Sequence, residues 1–265
     1  GRAPEPERPG GEVFGTDHDA HDDGFKGLLV RTAFGLGYAG VFIACLLMGP
    51  IPSAIFISLD SALCCFEFYR MIRLDGKVPN EGLGIAAAAL FPLCALVDSV
   101  WLTALLFVLV VSLGVWYLYS PRTRIADVSV TAFGALYTGF MLSAVVLLRG
   151  RIPGFPGALL PIGVCASVWV SDSLAYLVGK RFGKHKMVPR ISPHKTWEGF
   201  AGGMLGSVLI WLILWSTGLY RLDLPFTVLC GLLVGVLGVF GDLIESRIKR
   251  GVGVKDSGNL IPGHG

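Results

Sequence analysis

Charge is scarce in this chain. Asp, Glu, Lys and Arg make up 15% of its 265 residues, where a soluble globular domain carries about a quarter, and that shortfall argues against a water-soluble fold. A spaced cysteine framework is missing too: Cys45, Cys64, Cys65, Cys94, Cys165 and Cys230 all fall in apolar stretches, which excludes a disulfide scaffold or a zinc site and leaves them as small packing residues. No glycines precede Lys195 in the pattern that a Walker A phosphate loop needs. Neither a starting Met nor a cleavable signal sequence is visible. A nucleic-acid partner is not expected.

Apolar residues are what the chain has, at 53% with 36 glycines scattered among them. Crossing a hydrocarbon core of about 30 Å takes about 20 apolar residues in a helix, and lipid leaves helices as the spanning form for such runs. Spans are predicted at 28–48, 51–69, 82–98, 100–119, 127–148, 157–179, 199–219 and 224–241. The fold class expected is therefore all-α, a polytopic transmembrane helical bundle of about eight spans. The narrowest separations are Gly49 to Pro52 and the region of Asp98 and Ser99. Spacings such as Gly202 to Gly206 and Gly231, Gly235, Gly238 suit close helix contact in a membrane, and glycine-rich spans suit a homodimer.

Basic residues fix the orientation, because cytoplasmic loops hold their excess. With the N-terminus inside, 19 of the 22 Lys and Arg fall in inner segments, leaving Arg149, Arg151 and Arg221 outside. Residues 1–25, rich in Pro, Gly and acids, read as a disordered cytoplasmic tail. Residues 26–150 form the N-terminal membrane helices, and residues 151–265 a catalytic membrane region with cytoplasmic loops. The compact chain suggests a bacterial inner membrane.

Acids at membrane depth are costly unless they face a cavity or a partner. Asp60 and Glu67 share a helix face, and Asp172 interrupts the sixth span in VWVSDSLAYLVGKRFG. The loop from Lys180 to Glu198 gathers six Lys or Arg with His185 and His194; anionic lipid headgroups alone would account for such a loop. Within it, Ser192-Pro193 suits a helix N-cap and first turn, which would set Lys195 and Thr196 at an anion site. Beyond the eighth span, a helix from Asp242 to Arg250 would place Asp242, Glu245, Ser246 and Lys249 on one side. Carboxylates there suit a hard cation such as Mg²⁺, although spacing alone slightly favours an ordinary solvated helix laced with ion pairs.

The run Ser246-Arg-Ile-Lys249-Arg250, then Lys255-Asp256-Ser-Gly258, then Ile261-Pro-Gly-His264-Gly265 resembles the signature of CDP-diacylglycerol synthases, the phosphatidate cytidylyltransferases. SPHKTWEG and Asp172 with Ala175-Tyr176 and Gly179-Lys-Arg-Phe-Gly183 are similar to that family as well, so the resemblance is specific over residues 165–265. It implies an enzyme that joins CTP to phosphatidate held among membrane lipids, giving CDP-diacylglycerol and pyrophosphate with Mg²⁺, alone or with a second cation. It further implies that Asp242 is the leading metal ligand, with Asp256 and Asp172 behind it. Lys195, Lys249, Arg250 and Lys255 would hold phosphates, while Ser192, Thr196, Glu198, Ser246 and His264 would line the site.

The family pattern continues beyond the final glycines with a D-R-x-D run and a last membrane helix, so a fragment lacking a ninth span is expected here. An ion-coupled transporter using Asp60, Glu67 and Asp172 would call for an internal repeat, and none is seen. A CTP-dependent polyprenol or phytol kinase would transfer a phosphoryl group instead.

Overall fold

Eight long rods account for most of the computed structural model, which describes residues 17–254, with side chains from residue 32 onward. They run α1 (Asp17–Met48), α2 (Pro50–Arg73), α3 (Glu81–Val97), α4 (Ser99–Tyr119), α5 (Ile125–Ala135) continued by a π-turn (Leu136–Phe140) into α6 (Ser143–Arg151), α7 (Gly154–Phe182), α8 (Trp197–Ser216) and α9 (Leu224–Gly251). Six of these rods are long and apolar enough to cross a membrane; Thr32–Met48 and Glu81–Val97 are shorter apolar helices. The chain is thus a polytopic helical bundle, and an integral membrane protein by the length and composition of its helices. Helix α1 begins at Asp17, within the segment expected as a tail, and residues 1–16 lie outside the described residues.

The corners follow from single residues. Gly49 joins α1 to α2 at φ +141°, a conformation that side chains disfavour, and Pro50 then opens α2 where its missing N–H costs nothing. Asp98 is extended between α3 and α4, and its carboxylate accepts from Val100 N at 2.8 Å to cap the next helix. The predicted fifth span is interrupted by the π-turn, where Gly139 lies so close to Ala88 that an added Cβ would stand 2.4 Å from its Cα. Arg149, counted on the outer side, lies in the last turn of α6 and is buried. Its Nε donates to Leu46 O at 2.7 Å, which ties α6 to the C-terminal carbonyls of α1.

Helices α7, α8 and α9 form the second half of the bundle, and glycine sets their spacing. A Cβ on Gly202 would meet Val178 at 2.6 Å, one on Gly203 would meet Ser171 at 2.8 Å, and one on Gly231 would meet Val208 Cα at 2.7 Å. Close approach of this kind drives helix association where lipid removes the hydrophobic incentive. One end of this half is closed by Trp211, Leu214 and Tyr220. The other carries a hairpin of β1 (Lys186–Val188) and β2 (Ser192–Thr196), antiparallel, with Lys186 opposite Thr196 and Val188 opposite Ser192.

That hairpin corrects one expectation: Ser192 does not cap a helix. Cross-strand pairing extends the backbone through Thr196, so α8 starts at Trp197 with Thr196 as N-cap, its hydroxyl accepting from Gly199 N at 3.1 Å. At the same end of the bundle the loop after α2 is fastened to α5. Buried Asp127 accepts from Val78 N at 2.8 Å and Arg124 N at 2.9 Å, while Thr131 Oγ1 accepts from Asn80 N at 2.9 Å.

Candidate active site

Three segments distant in sequence meet at the hairpin end. Helix α7 brings Asp172 and Tyr176, strand β2 brings His194 and Lys195, and α9 brings Val239 and Asp242; together with Thr196 and Phe200 they line a cavity of about 260 Å³. Lys195 Nζ forms an ion pair with Asp242 and also lies 3.5 Å from Val239 O. The side chain of Lys195 is 24% exposed and that of Asp242 49%, so the pair stands at the cavity mouth rather than in a sealed core.

Position along α7 explains Asp172. It lies inward from the basic residues Lys180 and Arg181 of the last turn, and it lines the cavity. Helix α8 packs tightly on α7 beside it, where Gly199 approaches Ala175 O so closely that a Cβ would sit at 2.6 Å. Two carboxylates from different helices therefore share one small space with a lysine. Among the described residues no three His, Cys, Asp or Glu side chains converge. Two hard oxygen donors nevertheless fit Mg²⁺, which takes one or two carboxylates and completes its shell with water and substrate phosphate.

Glu198 has a different position from the one expected of it. Its carboxylate accepts from the backbone N–H of Lys184 at 3.1 Å and of His185 at 3.3 Å, and lies 2.7 Å from His185 Nδ1. It straps the start of the hairpin to the first turn of α8, and Trp197 N adds a bond to His185 O at 3.0 Å. Thr196 likewise shapes the site from beneath, buried at the strand–helix joint. Ser192 sits at the far end of β2 and is not among the cavity residues.

Helix α9 runs unbroken from Leu224 to Gly251, so the expected helix over Asp242 to Arg250 is its last part. One side of it divides between two spaces. Asp242 faces the first cavity, while Glu245 and Lys249, paired at 3.0 Å, line a second of about 490 Å³ against α2 and the π-turn. Ser246 is half-buried and lines neither, and Arg250 donates to Val254 O at 3.4 Å. Lys255, Asp256 and His264 lie outside the described residues. Sequence reasoning singled out Asp172, Lys195, Thr196 and Asp242, and the structure gathers those four. It passed over His194 and Tyr176 as site residues, and only their places beside Lys195 and one turn beyond Asp172 pointed to them.

Comparison with known proteins is consistent with this geometry. A sequence model described as the cytidylyltransferase family matches residues 29–265. A Bacillus subtilis protein named phosphatidate cytidylyltransferase is 32% identical over 242 residues, covering 89% of each chain. A Synechocystis protein of the same name is 35% identical over 260 residues, covering 87% of this chain and 86% of its own. The Arabidopsis thaliana phosphatidate cytidylyltransferase 5, chloroplastic, is 30% identical over 270 residues, covering 89% of this chain and 66% of its own.

Proposed function

Because this chain belongs to the cytidylyltransferase family, we propose that it transfers the cytidylyl group of CTP to phosphatidate, giving CDP-diacylglycerol and pyrophosphate for phospholipid synthesis. The observation that carries this reading is the meeting of Asp172, Lys195 and Asp242, from three separate segments, around one cavity at one end of a membrane bundle. A lipid phosphate lies at headgroup level and CTP comes from water. A site joining them belongs where polar residues meet helix ends.

The reaction forms a bond between a phosphatidate oxygen and the α-phosphorus of CTP and breaks the bond from that phosphorus to the bridging oxygen, whose electron pair leaves with pyrophosphate. Such transfers depend on positioning and charge neutralisation rather than on a covalent enzyme intermediate. Lys195, placed by β2, would hold a nucleotide phosphate after exchanging its ion pair with Asp242 for one with the substrate. Asp172 and Asp242 would hold Mg²⁺, joined by Asp256 from beyond the described residues, with or without a second cation. When bound, the ion would offset charge that builds up on the triphosphate. Phe200 and Tyr176 form part of the cavity wall.

The same reading covers topology. Eight spans with the N-terminus and the hairpin on the cytoplasmic side of a bacterial inner membrane agree with the excess of Lys and Arg at the hairpin end, and the glycine-rich helices suit a homodimer. The deciding experiment supplies purified full-length protein, Mg²⁺ and phosphatidate with CTP labelled at either the α or the γ phosphate. Label in lipid from the α position supports cytidylyl transfer; label from the γ position would indicate a kinase and overturn it.

A further inference from the structure

The second cavity is absorbed by none of this, although it is the larger of the two and shares α9 with the first. Its walls come from three rods. Cys64, Glu67 and Met71 stand on α2, Tyr137 and Met141 on or next to the π-turn, and Glu245 and Lys249 on α9.

Those walls change character with depth. Helix α5 starts at Ile125 at the hairpin end, so Tyr137 lies about 18 Å along it at 1.5 Å per residue, near the middle of a hydrocarbon core about 30 Å thick. Cys64 and Met141 thus surround the deep end, and the charged residues Glu67, Glu245 and Lys249 the shallow end. A space that is apolar at bilayer depth and charged at its mouth matches an amphiphile rather than a water-soluble nucleotide. The charges also set its register. Lys249 is already paired with Glu245, and Glu67 adds a second carboxylate to the wall, so a phosphate is repelled from the interior and kept at the mouth. There α9 presents Asp242 one turn from Glu245, on the ridge between the two cavities.

Resting on the reading that the lipid substrate is phosphatidate, we propose that the cavity between α2, the π-turn and α9 seats its diacylglycerol part, with the phosphate projecting over α9 towards Lys195. One helix then separates the two substrates and brings their reacting ends together. The π-turn has a role in this arrangement. Its wider ring rotates Tyr137 out of the regular helical order, and such turns recur at functional sites.

Bulk placed in the deep end from either wall tests this seat. Met141→Trp and Cys64→Trp alter exposed side chains, and thermal unfolding of each variant checks that the bundle is retained. Kinetics are measured with dioleoyl-phosphatidate and with dihexanoyl-phosphatidate, whose chains are too short to reach that depth. For the long-chain lipid, KM is expected to rise about tenfold in both variants, the effect of leaving about two methylene groups in water. KM for CTP and for the short-chain lipid should stay within twofold of the wild type, the ordinary scatter of such measurements. An equal change for both lipids, or none for either, would overturn the proposal while leaving cytidylyl transfer intact. Wild-type protein that moves no α label into either lipid would overturn the underlying reading, and this one with it.

Discussion

Lys195 of strand β2 reaches across the cavity mouth to pair with Asp242 of helix α9, although the whole of α8 separates them in sequence. A cation and an acid held in reserve against each other avoid leaving either charge unpaired at the edge of the bilayer. On the proposed reading, both would become available when a triphosphate and a metal ion enter together.

Replacing that acid should therefore remove activity without removing the fold. Asp242→Asn is expected to lower kcat by roughly 10²-fold or more, the range seen when one electrostatic contact to a transition state is lost. Transfer from α-labelled CTP measures it, and unchanged thermal unfolding is expected because the side chain is half exposed.

Removing the metal should act on the same step. Chelation is expected to abolish transfer and added Mg²⁺ to restore it. Asp172→Asn should raise the Mg²⁺ concentration needed for half-maximal rate about tenfold, equivalent to about 1.4 kcal/mol of binding. A Mg²⁺ titration of the variant that overlays the wild type would remove Asp172 from the metal site.

Lys195→Met should raise KM for CTP more than KM for phosphatidate, because β2 places the ammonium in the smaller cavity and away from the second. Lys195→Arg should recover part of the loss, since charge is kept but the compact ammonium is not. Initial rates with one substrate saturating separate the two constants.

Glycine contacts give a prediction about stability alone. Gly202→Val would drive a side chain into Val178, which a Cβ would meet at 2.6 Å, whereas at Gly238 the nearest atom is 3.6 Å away. Overpacking costs about 1–3 kcal/mol, so Gly202→Val should unfold at lower temperature in detergent and Gly238→Ala should not.

Legibility in the sequence depended on range. Apolar run length located the helices, because lipid imposes that length regardless of neighbours, and Gly202 and Gly206 disclosed a close contact before its partner was known. Ser192 misled: a Ser-Pro pair is a sound local cap signal, but the decisive bonds come from Val188 across the hairpin, which local spacing does not reveal. The partner of Arg149 was hidden for the same reason, since it is the Leu46 carbonyl of another helix. Asp172, Lys195 and Asp242 were legible one by one through the resemblance of their motifs. Their meeting in a single cavity is a property of packing and had to be seen.

The joint at Thr196 has a consequence of its own. The residue ends the strand and caps the helix with nothing between them, so Lys195 hangs from a rigid hinge-free corner instead of a pliant tether. Its freedom to wander is surrendered once, when the chain folds, and is not charged again at each turnover. On the proposed reading, an arriving nucleotide would meet a cation already in place.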